Sequence, residues 1–388
     1  MLADEHTPRG SQERWRRERR YLNGHRYELT ESAQLLYGEC EQVGPTGLLV
    51  GKDWLATEPV SLERIGLEWI AESPAKGVDG SEPESLSVRP LRGDGQRYAC
   101  YAEALGALDP PRLFENRTSY RLLGMQWRED GRLVLRFGKG TYFDIINVCE
   151  AVGHEFAVAY DGNAHEPPSL ERLPFRRLIG DPCDPTRRPL MIGISVLTLR
   201  RDRTDGAASF VLHRRDAKNV AHGGGLYHVM PVGMFQPSAD AAWNERHDLD
   251  LWRSIAREYH EEFLGGAEHY GSDKAPIEYD RWPFFRALGD ARRCGAVRAS
   301  WLGLGVDPLT LVTDLLVTVV FDDDVYDALF GQLAEANLEG EIVNGDAATG
   351  IPFSEESVTR FVYAEPTQAA GAALLWLAWQ HRAVLLQR

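Results

Sequence analysis

Three glutamates lie close together in the C-terminal half of the chain. Glu258, Glu261 and Glu262 have the spacing i, i+3 and i+4, so a helix would place their carboxylates side by side. Like charges at this spacing repel one another by a few tenths of a kcal/mol per pair. A hard divalent cation takes oxygen ligands from such a cluster and keeps waters for a phosphate substrate. The alternative is a glutamate-rich helix face that is only solvated.

The segment around these glutamates has the pattern of one amphipathic helix, from Asp250 to Leu264. Its apolar face at 100° per residue consists of Trp252, Ile255, Ala256, Tyr259 and Phe263. An apolar, strand-like run precedes it at residues 227–230. Arg257 is placed to pair with Glu261 at i+4, or to hold the helix against the preceding loop.

A known sequence motif has the same order of residues. The run Arg257-Glu258-Tyr259-His260-Glu261-Glu262 matches R-E-apolar-x-E-E, the helical half of the Nudix box. Upstream, Pro231-Val232-Gly233 is similar to the P-G-G at which the loop of that box begins. Residues 190–388 therefore resemble the Nudix superfamily, and most of all the Nudix-like domains of bacterial proteins.

The resemblance implies a reaction and a set of roles. Nudix enzymes hydrolyse a nucleoside diphosphate linked to another group, with Mg²⁺ or Mn²⁺. Glu261 and Glu262 would be the principal metal ligands, and Glu258 would be a third ligand or assist the base. Arg257 would orient the helix carboxylates, and the carbonyl group of Gly233 would lie near the metal. The ion would lower the pKa of a bound water, and a carboxylate would take its proton.

The loop of the box departs from the family pattern. Between Gly233 and Arg257 it carries about ten extra residues, and the family's loop glutamate falls on Ala239. Glu245, Asp248 and Asp250 in the insertion are candidate replacements. Two functions from different classes therefore remain open, a pyrophosphohydrolase and a non-catalytic sensor that binds a nucleotide or metabolite. Isomerase or transferase chemistry on a diphosphate is a weaker third hypothesis, because fold alone does not decide function.

Three basic residues precede the box and are candidates for substrate binding. Arg214, Arg215 and Lys218 would suit the phosphates of a nucleotide-derived substrate. A solvated strand end explains the same residues equally well.

The pattern of helices and strands indicates an α/β (α+β) protein. Residues 1–20 are expected to be a flexible basic arm, whose arginine run folds back on the acidic body as an arm or helix. Residues 21–180 are expected to form an N-terminal α+β domain that shapes the site or mediates homodimerisation. Its strands, separated by Glu129-Asp130-Gly131, have a hairpin signal and resemble a degenerate second Nudix-like copy. Residues 190–388 are expected to form a Nudix-like α/β/α sandwich with a mixed sheet.

Composition narrows the choice of partners and compartment. The net charge of −15 argues against a surface built for nucleic acid. No apolar run approaches the roughly 18–20 residues that span a bilayer, which argues against a membrane partner. The five cysteines include no CxxC pair, so neither a zinc site nor a disulfide framework is indicated. We therefore expect a cytoplasmic protein with a small-molecule ligand.

Overall fold

The computed structural model shows a chain of mixed helices and strands, which confirms the predicted α/β (α+β) class. Three sheets are present in the described part of the chain. For Arg215, Gly340 and Glu341 the structure describes the backbone only. The described residues are 6–111, 114–162, 166–215, 225–266, 274–331, 340–343 and 350–387.

The elements are numbered in chain order. The helices are α1 (Pro8–Gly24), α2 (Arg26–Ala33), α3 (Tyr101–Leu108), α4 (Tyr142–Ile145), α5 (Ala151–Ala159), α6 (Pro174–Ile179), α7 (Ala242–His247), α8 (Leu251–Glu262), α9 (Pro283–Arg293), α10 (Asp323–Phe330), α11 (Glu355–Thr359), α12 (Ala369–Gln380) and α13 (Arg382–Leu385). The strands are β1 (Leu55–Ser61), β2 (Ile65–Trp69), β3 (Thr118–Trp127), β4 (Leu133–Thr141), β5 (Ile192–Arg201), β6 (Ala208–Phe210), β7 (Leu212–Arg215), β8 (Tyr227–Val229), β9 (Val232–Met234), β10 (Val297–Val306), β11 (Thr313–Asp322), β12 (Gly340–Val343) and β13 (Ile351–Pro352).

The segment expected to be a flexible arm is instead helix α1 from Pro8 onward, which corrects that prediction. Thr7 caps the helix, and Pro8 occupies its first turn, where a missing N–H costs nothing. Trp15 and Leu22 bury one face of the helix. The arginine run does fold back on the body, because Arg19 Nη1 lies 2.8 Å from Oε2 of the buried Glu150. Burial of this apolar face stabilises the helix against the rest of the protein.

A three-stranded sheet with the order β2–β4–β3 forms in the N-terminal half. Strands β3 and β4 are antiparallel and β2 is parallel to β4, which confirms the predicted hairpin. Gly131 in its turn has φ 73°, a conformation that glycine adopts without strain. A continuous helical segment follows β4, made of α4, a π-helical turn (Ile146–Glu150) and α5.

The main sheet has the order β1–β10–β11–β5–β6–β13, with β9 also paired to β5. Strand β11 runs parallel to β5, while β10, β9 and β6 are antiparallel to their neighbours, so the sheet is mixed as predicted. Strand β1 comes from the N-terminal half and pairs with β10. One hydrophobic cluster extends from Trp15 to Leu385. The predicted boundary at residues 180–190 therefore does not separate two hydrophobic cores.

Several helices pack on the main sheet. The Tyr259 ring of α8 lies 5.4 Å from the ring of Phe330 in α10 and 5.5 Å from that of Phe321 in β11. Helix α12 is almost entirely buried, and it packs on β5, β10 and β11. The long helix predicted for residues 367–386 is thus α12 followed by α13.

The two halves share one topological unit. In the C-terminal half, the hairpin β10–β11 is followed directly by α10, and β11 is parallel to the earlier strand β5. In the N-terminal half, the hairpin β3–β4 is followed directly by α4, and β4 is parallel to the earlier strand β2. The hypothesis that the N-terminal half is a degenerate second Nudix-like copy stays a prediction, and the sequence shows no second box there.

Two expectations from composition can be compared with the described residues. Among them, no helix combines the length and apolarity needed to cross a membrane. All five cysteines are free thiols.

Candidate functional site

Helix α8 carries the three glutamates and begins and ends close to the predicted bounds. The Asp250 carboxylate caps the helix by accepting a hydrogen bond from the backbone N–H of Arg253 at 2.9 Å, which satisfies one of the unpaired donors of the first turn. Ile255 and Tyr259 are fully buried. The Tyr259 hydroxyl lies 2.7 Å from Oγ1 of Thr198 in β5. These contacts fix the rotation of α8 against the main sheet.

Strand β9 runs alongside the glutamate face of α8. It pairs with β5 through the register Ile194↔Gly233. A Cβ atom placed on Gly233 would lie 2.1 Å from the Cδ atom of Glu258 and 2.2 Å from its Oε1. Only a glycine leaves room for a carboxylate at that distance, because carbon atoms normally stay about 3.5–4.0 Å apart. The structure therefore brings Gly233 and Glu258 together.

Glu262 contacts β9 at Val232, the residue before Gly233. Its Oε1 accepts a hydrogen bond of 2.9 Å from the backbone N–H of Val232, and its side chain is buried. A carboxylate that accepts a backbone N–H is held in place by that hydrogen bond. Glu258 and Glu262 thus lie next to adjacent residues of β9.

Glu261 is half-buried on α8. Its position one turn from Glu258 puts the two carboxylates on neighbouring parts of the helix surface. The contacts of β9 described above involve Glu258 and Glu262. The structure therefore supports the grouping of those two with Gly233 more directly than the inclusion of Glu261.

Arg257 holds the helix to the loop that precedes it, which is the second of the two predicted roles. Its Nη2 donates to the carbonyl oxygen of Gln236 at 2.7 Å, and its Nη1 donates to the Tyr279 hydroxyl at 2.5 Å. Asp248 Oδ1 lies 3.8 Å from Nη1. Burial lowers the pKa of Arg257, but Tyr279, Asp248 and Glu258 outweigh this effect and raise it above its ordinary value. The guanidinium therefore stays charged although it is buried.

Tyr279 is a functional candidate that the sequence does not reveal. Its hydroxyl accepts from Arg257 and donates to Asp248 Oδ1 at 2.9 Å. Burial is the largest cause of a raised pKa at this phenol, so the hydroxyl keeps its proton. A single tyrosine after the box has no motif around it, and only the fold shows that it connects the insertion to α8.

The three acidic residues of the insertion have other roles in the structure. Asp250 caps α8, and Asp248 is fully buried and accepts the backbone N–H of Ser238 at 2.8 Å. Glu245 forms an ion pair with Lys139 at 2.6 Å. Each candidate replacement for the family's loop glutamate is therefore engaged in holding the insertion together or attaching it.

The N-terminal hairpin binds this insertion. Besides the Lys139–Glu245 ion pair, the backbone N–H of Thr118 donates to Asp240 Oδ1 at 3.0 Å. The Tyr120 hydroxyl donates to the carbonyl oxygen of Glu245 at 2.9 Å. The backbone of Tyr120 also donates to the carbonyl oxygen of Phe235, directly after β9. The N-terminal half thus fixes the loop that leads from Gly233 to α8.

Two of the predicted phosphate-binding residues, Arg214 and Arg215, lie in a different sheet, which has the order β12–β7–β8. Arg214 is exposed, and its guanidinium carbon lies 5.8 Å from the centre of the Tyr227 ring. Arg215 ends β7, and Lys218 lies outside the described residues. The structure gives no contact that joins Arg214 to α8.

The donors around β9 fit a hard divalent cation in their chemistry. Carboxylate and carbonyl oxygens are the ligands that Mg²⁺ and Mn²⁺ take, and the glycine at position 233 leaves room for them. Among the described residues, no three His, Cys, Asp or Glu side chains are already arranged as a metal-binding group. Waters and substrate oxygens would have to complete the coordination of an ion.

Comparison with known proteins adds no family assignment. No protein-family model matches the chain, and no curated protein matches it either.

Proposed function

We propose that this chain is a cytoplasmic, metal-dependent pyrophosphohydrolase of the Nudix type, acting on a nucleoside diphosphate-linked substrate. The observation that carries the proposal is the contact of the Glu258 carboxylate with Gly233. It unites the helical half of the motif with the glycine of its loop half. A binding module has no evident need for clustered carboxylates packed against a glycine.

In this proposal Glu258, Glu261, Glu262 and the carbonyl oxygen of Gly233 hold a Mg²⁺ or Mn²⁺ ion. When bound, such an ion neutralises phosphate charge and acidifies a water molecule. The residues of the protein position the carboxylates. Val232 fixes the Glu262 carboxylate, and Glu258 in the gap left by Gly233 is placed to take a proton from a water.

Arg257 supports the site without touching the reacting atoms. By donating to the carbonyl oxygen of Gln236, it fixes the loop after β9 relative to α8. The distance between Gly233 and Glu258 depends on that arrangement. Arg257 is therefore assigned a positioning role, and Arg214, Arg215 and Lys218 remain candidates for binding substrate phosphates.

A sensor that binds a nucleotide without cleaving it is the second candidate. The observation that favours it is the insertion, where Ala239 replaces the loop glutamate and Glu245, Asp248 and Asp250 are engaged in other contacts. Such a protein would bind the same class of ligand and would lack a general base from the loop.

The deciding experiment measures product release from a panel of nucleoside diphosphate conjugates with Mg²⁺ and with Mn²⁺. The wild type is compared with Glu258→Gln, which keeps the shape of the side chain, and with Glu356→Gln on an exposed part of α11 as a matched control. We expect metal-dependent turnover in the wild type and control, and a loss of about 10²-fold or more in Glu258→Gln. Absence of turnover, while a nucleotide still raises Tm, would reject the hydrolase in favour of the sensor.

A further inference from the structure

A cavity of about 70 Å³ lies between α2 of the N-terminal half and the first residues of α12. Leu226, Leu309 and Val362 form an apolar part of its wall. None of the described residues that line the cavity belongs to α8 or β9. It is therefore separate from the proposed catalytic site.

The cavity borders the N-terminus of a buried helix. Gln368 precedes α12 with an extended backbone, and no side chain caps the helix. The backbone N–H groups of Ala369, Ala370 and Gly371 have no acceptor within the helix, as at any helix start. All three residues are buried. This end of the helix carries partial positive charge and favours an anionic group.

Two buried polar side chains in the cavity wall point independently to a ligand. Thr367 and Gln368 both line the cavity and are only 5% and 6% exposed. Oγ1 of Thr367 and Oε1 of Gln368 have no hydrogen-bond partner in the part of the chain that the structure describes. Buried polar groups in folded proteins nearly always have partners. A ligand in the cavity would supply them.

The wall also carries charges of both signs. Arg26 lines the cavity on one side, and its Nη2 lies 3.0 Å from Oε2 of Glu150, which partly neutralises it. Glu31 and Asp307 line the cavity as well. A simple anion would face these two carboxylates, and a simple cation would face the positive end of α12. A ligand with one charge of each sign satisfies both parts of the wall.

We infer that this cavity binds a small zwitterion of the α-amino acid class. Its carboxylate accepts hydrogen bonds from the start of α12 and from the Thr367 hydroxyl, and its ammonium group donates to Oε1 of Gln368. Its ammonium group faces Asp307 and Glu31. The small volume and the apolar wall limit the side chain to a few carbon atoms. This site does not depend on the proposed hydrolase activity.

The test is a thermal-shift screen of the full chain with the standard amino acids, followed by calorimetric titration of those that stabilise it. Acetate and methylammonium serve as separate halves of the ligand, and a nucleoside diphosphate tests for nucleotide binding. We expect one or more small amino acids to raise Tm saturably, since a ligand of the folded state stabilises it by mass action. We expect the two halves to have no such effect at the same concentration.

Variants locate the site. Ala372→Leu places extra volume into the cavity wall and should abolish binding, while Ala383→Leu on the exposed surface of α13 should leave it unchanged. Glu31 lies at an exposed position, so we expect Glu31→Gln to fold, and it tests the ammonium contact even if Ala372→Leu does not fold. We expect it to weaken binding about tenfold, the usual scale for one charge-assisted hydrogen bond.

Three outcomes would overturn the inference. The first is that no amino acid stabilises the wild type. The second is that Glu31→Gln and a folded Ala372→Leu bind as tightly as the wild type, which would place the ligand elsewhere. The third is stabilisation by acetate or by the nucleotide alone, which would make the cavity an anion or nucleotide site.

Discussion

Gly233 offers the sharpest test of the proposed metal site. The substitution Gly233→Ala adds one methyl group, and that methyl would lie 2.1 Å from Cδ of Glu258. An ordinary carbon–carbon contact is about 3.5 Å. The carboxylate of Glu258 must therefore move by about 1.4 Å, because β9 is held in place by its pairing with β5.

A displacement of that size has different consequences for folding and for catalysis. Glu258 is half-buried, and its carboxylate lies at the end of a flexible side chain. We therefore expect a loss of about 1–3 kcal/mol in the free energy of unfolding, as for other overpacked sites. A misplacement of about 1 Å in a catalytic group costs on the order of 10²-fold in rate. Gly233→Ala should therefore lose about 10²-fold in metal-dependent kcat while it remains folded.

The assay compares kcat, the affinity for Mn²⁺ and urea unfolding in the wild type, Gly233→Ala and Gly124→Ala. Gly124 also lies in a strand, but a Cβ atom there would meet nothing within 4 Å, so the control should retain activity and metal affinity. Unchanged kcat and Mn²⁺ affinity in Gly233→Ala would refute the proposed role of the Gly233–Glu258 contact.

Three further predictions concern the groups around the site and the N-terminal half. Tyr279→Phe removes the hydroxyl that donates to the buried Asp248, so the free energy of unfolding should fall by about 1–3 kcal/mol; an unchanged urea midpoint would contradict this. Lys139→Glu should lower kcat several-fold by repelling Glu245, and the double variant Lys139→Glu/Glu245→Lys should restore kcat. The free energy of unfolding should change by at most about 1 kcal/mol, because the ion pair is partly exposed. Failure of the exchange to restore kcat would show that the ion pair does not position the loop. Full burial holds the pKa of His154 below its usual 6.5, so the unfolded chain takes up the proton first and stability should fall as the pH drops below 6.5. Urea unfolding above and below that pH should show a smaller decrease in His154→Gln, and an equal decrease would contradict the assignment.

The sequence predicts the local elements well where their pattern is periodic. Helix α8 was expected from Asp250 to Leu264 and extends from Leu251 to Glu262, because its apolar residues repeat at helical spacing and Asp250 caps it. The hairpin β3–β4 follows from Asp130-Gly131 between two apolar runs. In both cases, the residues that predict the element lie within a few residues of its bounds in the structure.

Residues 1–20 contain a weaker periodic signal. Trp15, Arg19 and Leu22 have the spacing i, i+4 and i+7, and all three are buried on one face of α1. The arginine run suggests a solvated arm, whereas two large apolar residues at that spacing indicate a helix that packs on the body.

Contacts between distant segments could not be predicted in the same way. The pairing of β1 with β10, the hydrogen bond from Thr118 to Asp240 and the position of Tyr279 join residues that are far apart in the chain. Each depends on the packing of the whole fold, not on a local pattern. The resemblance to a family motif implies that Gly233 and Glu258 both lie near one metal ion, and no local pattern indicates their contact.

The most direct test of the central claim is equilibrium binding of Mn²⁺ to the full chain, followed by its electron paramagnetic resonance signal. The proposal predicts saturable binding of one ion by the wild type, weakened about tenfold or more by Glu258→Gln and left unchanged by Glu356→Gln. Binding that is absent, or that is equal in all three proteins, would contradict the assignment of a metal site to α8 and β9.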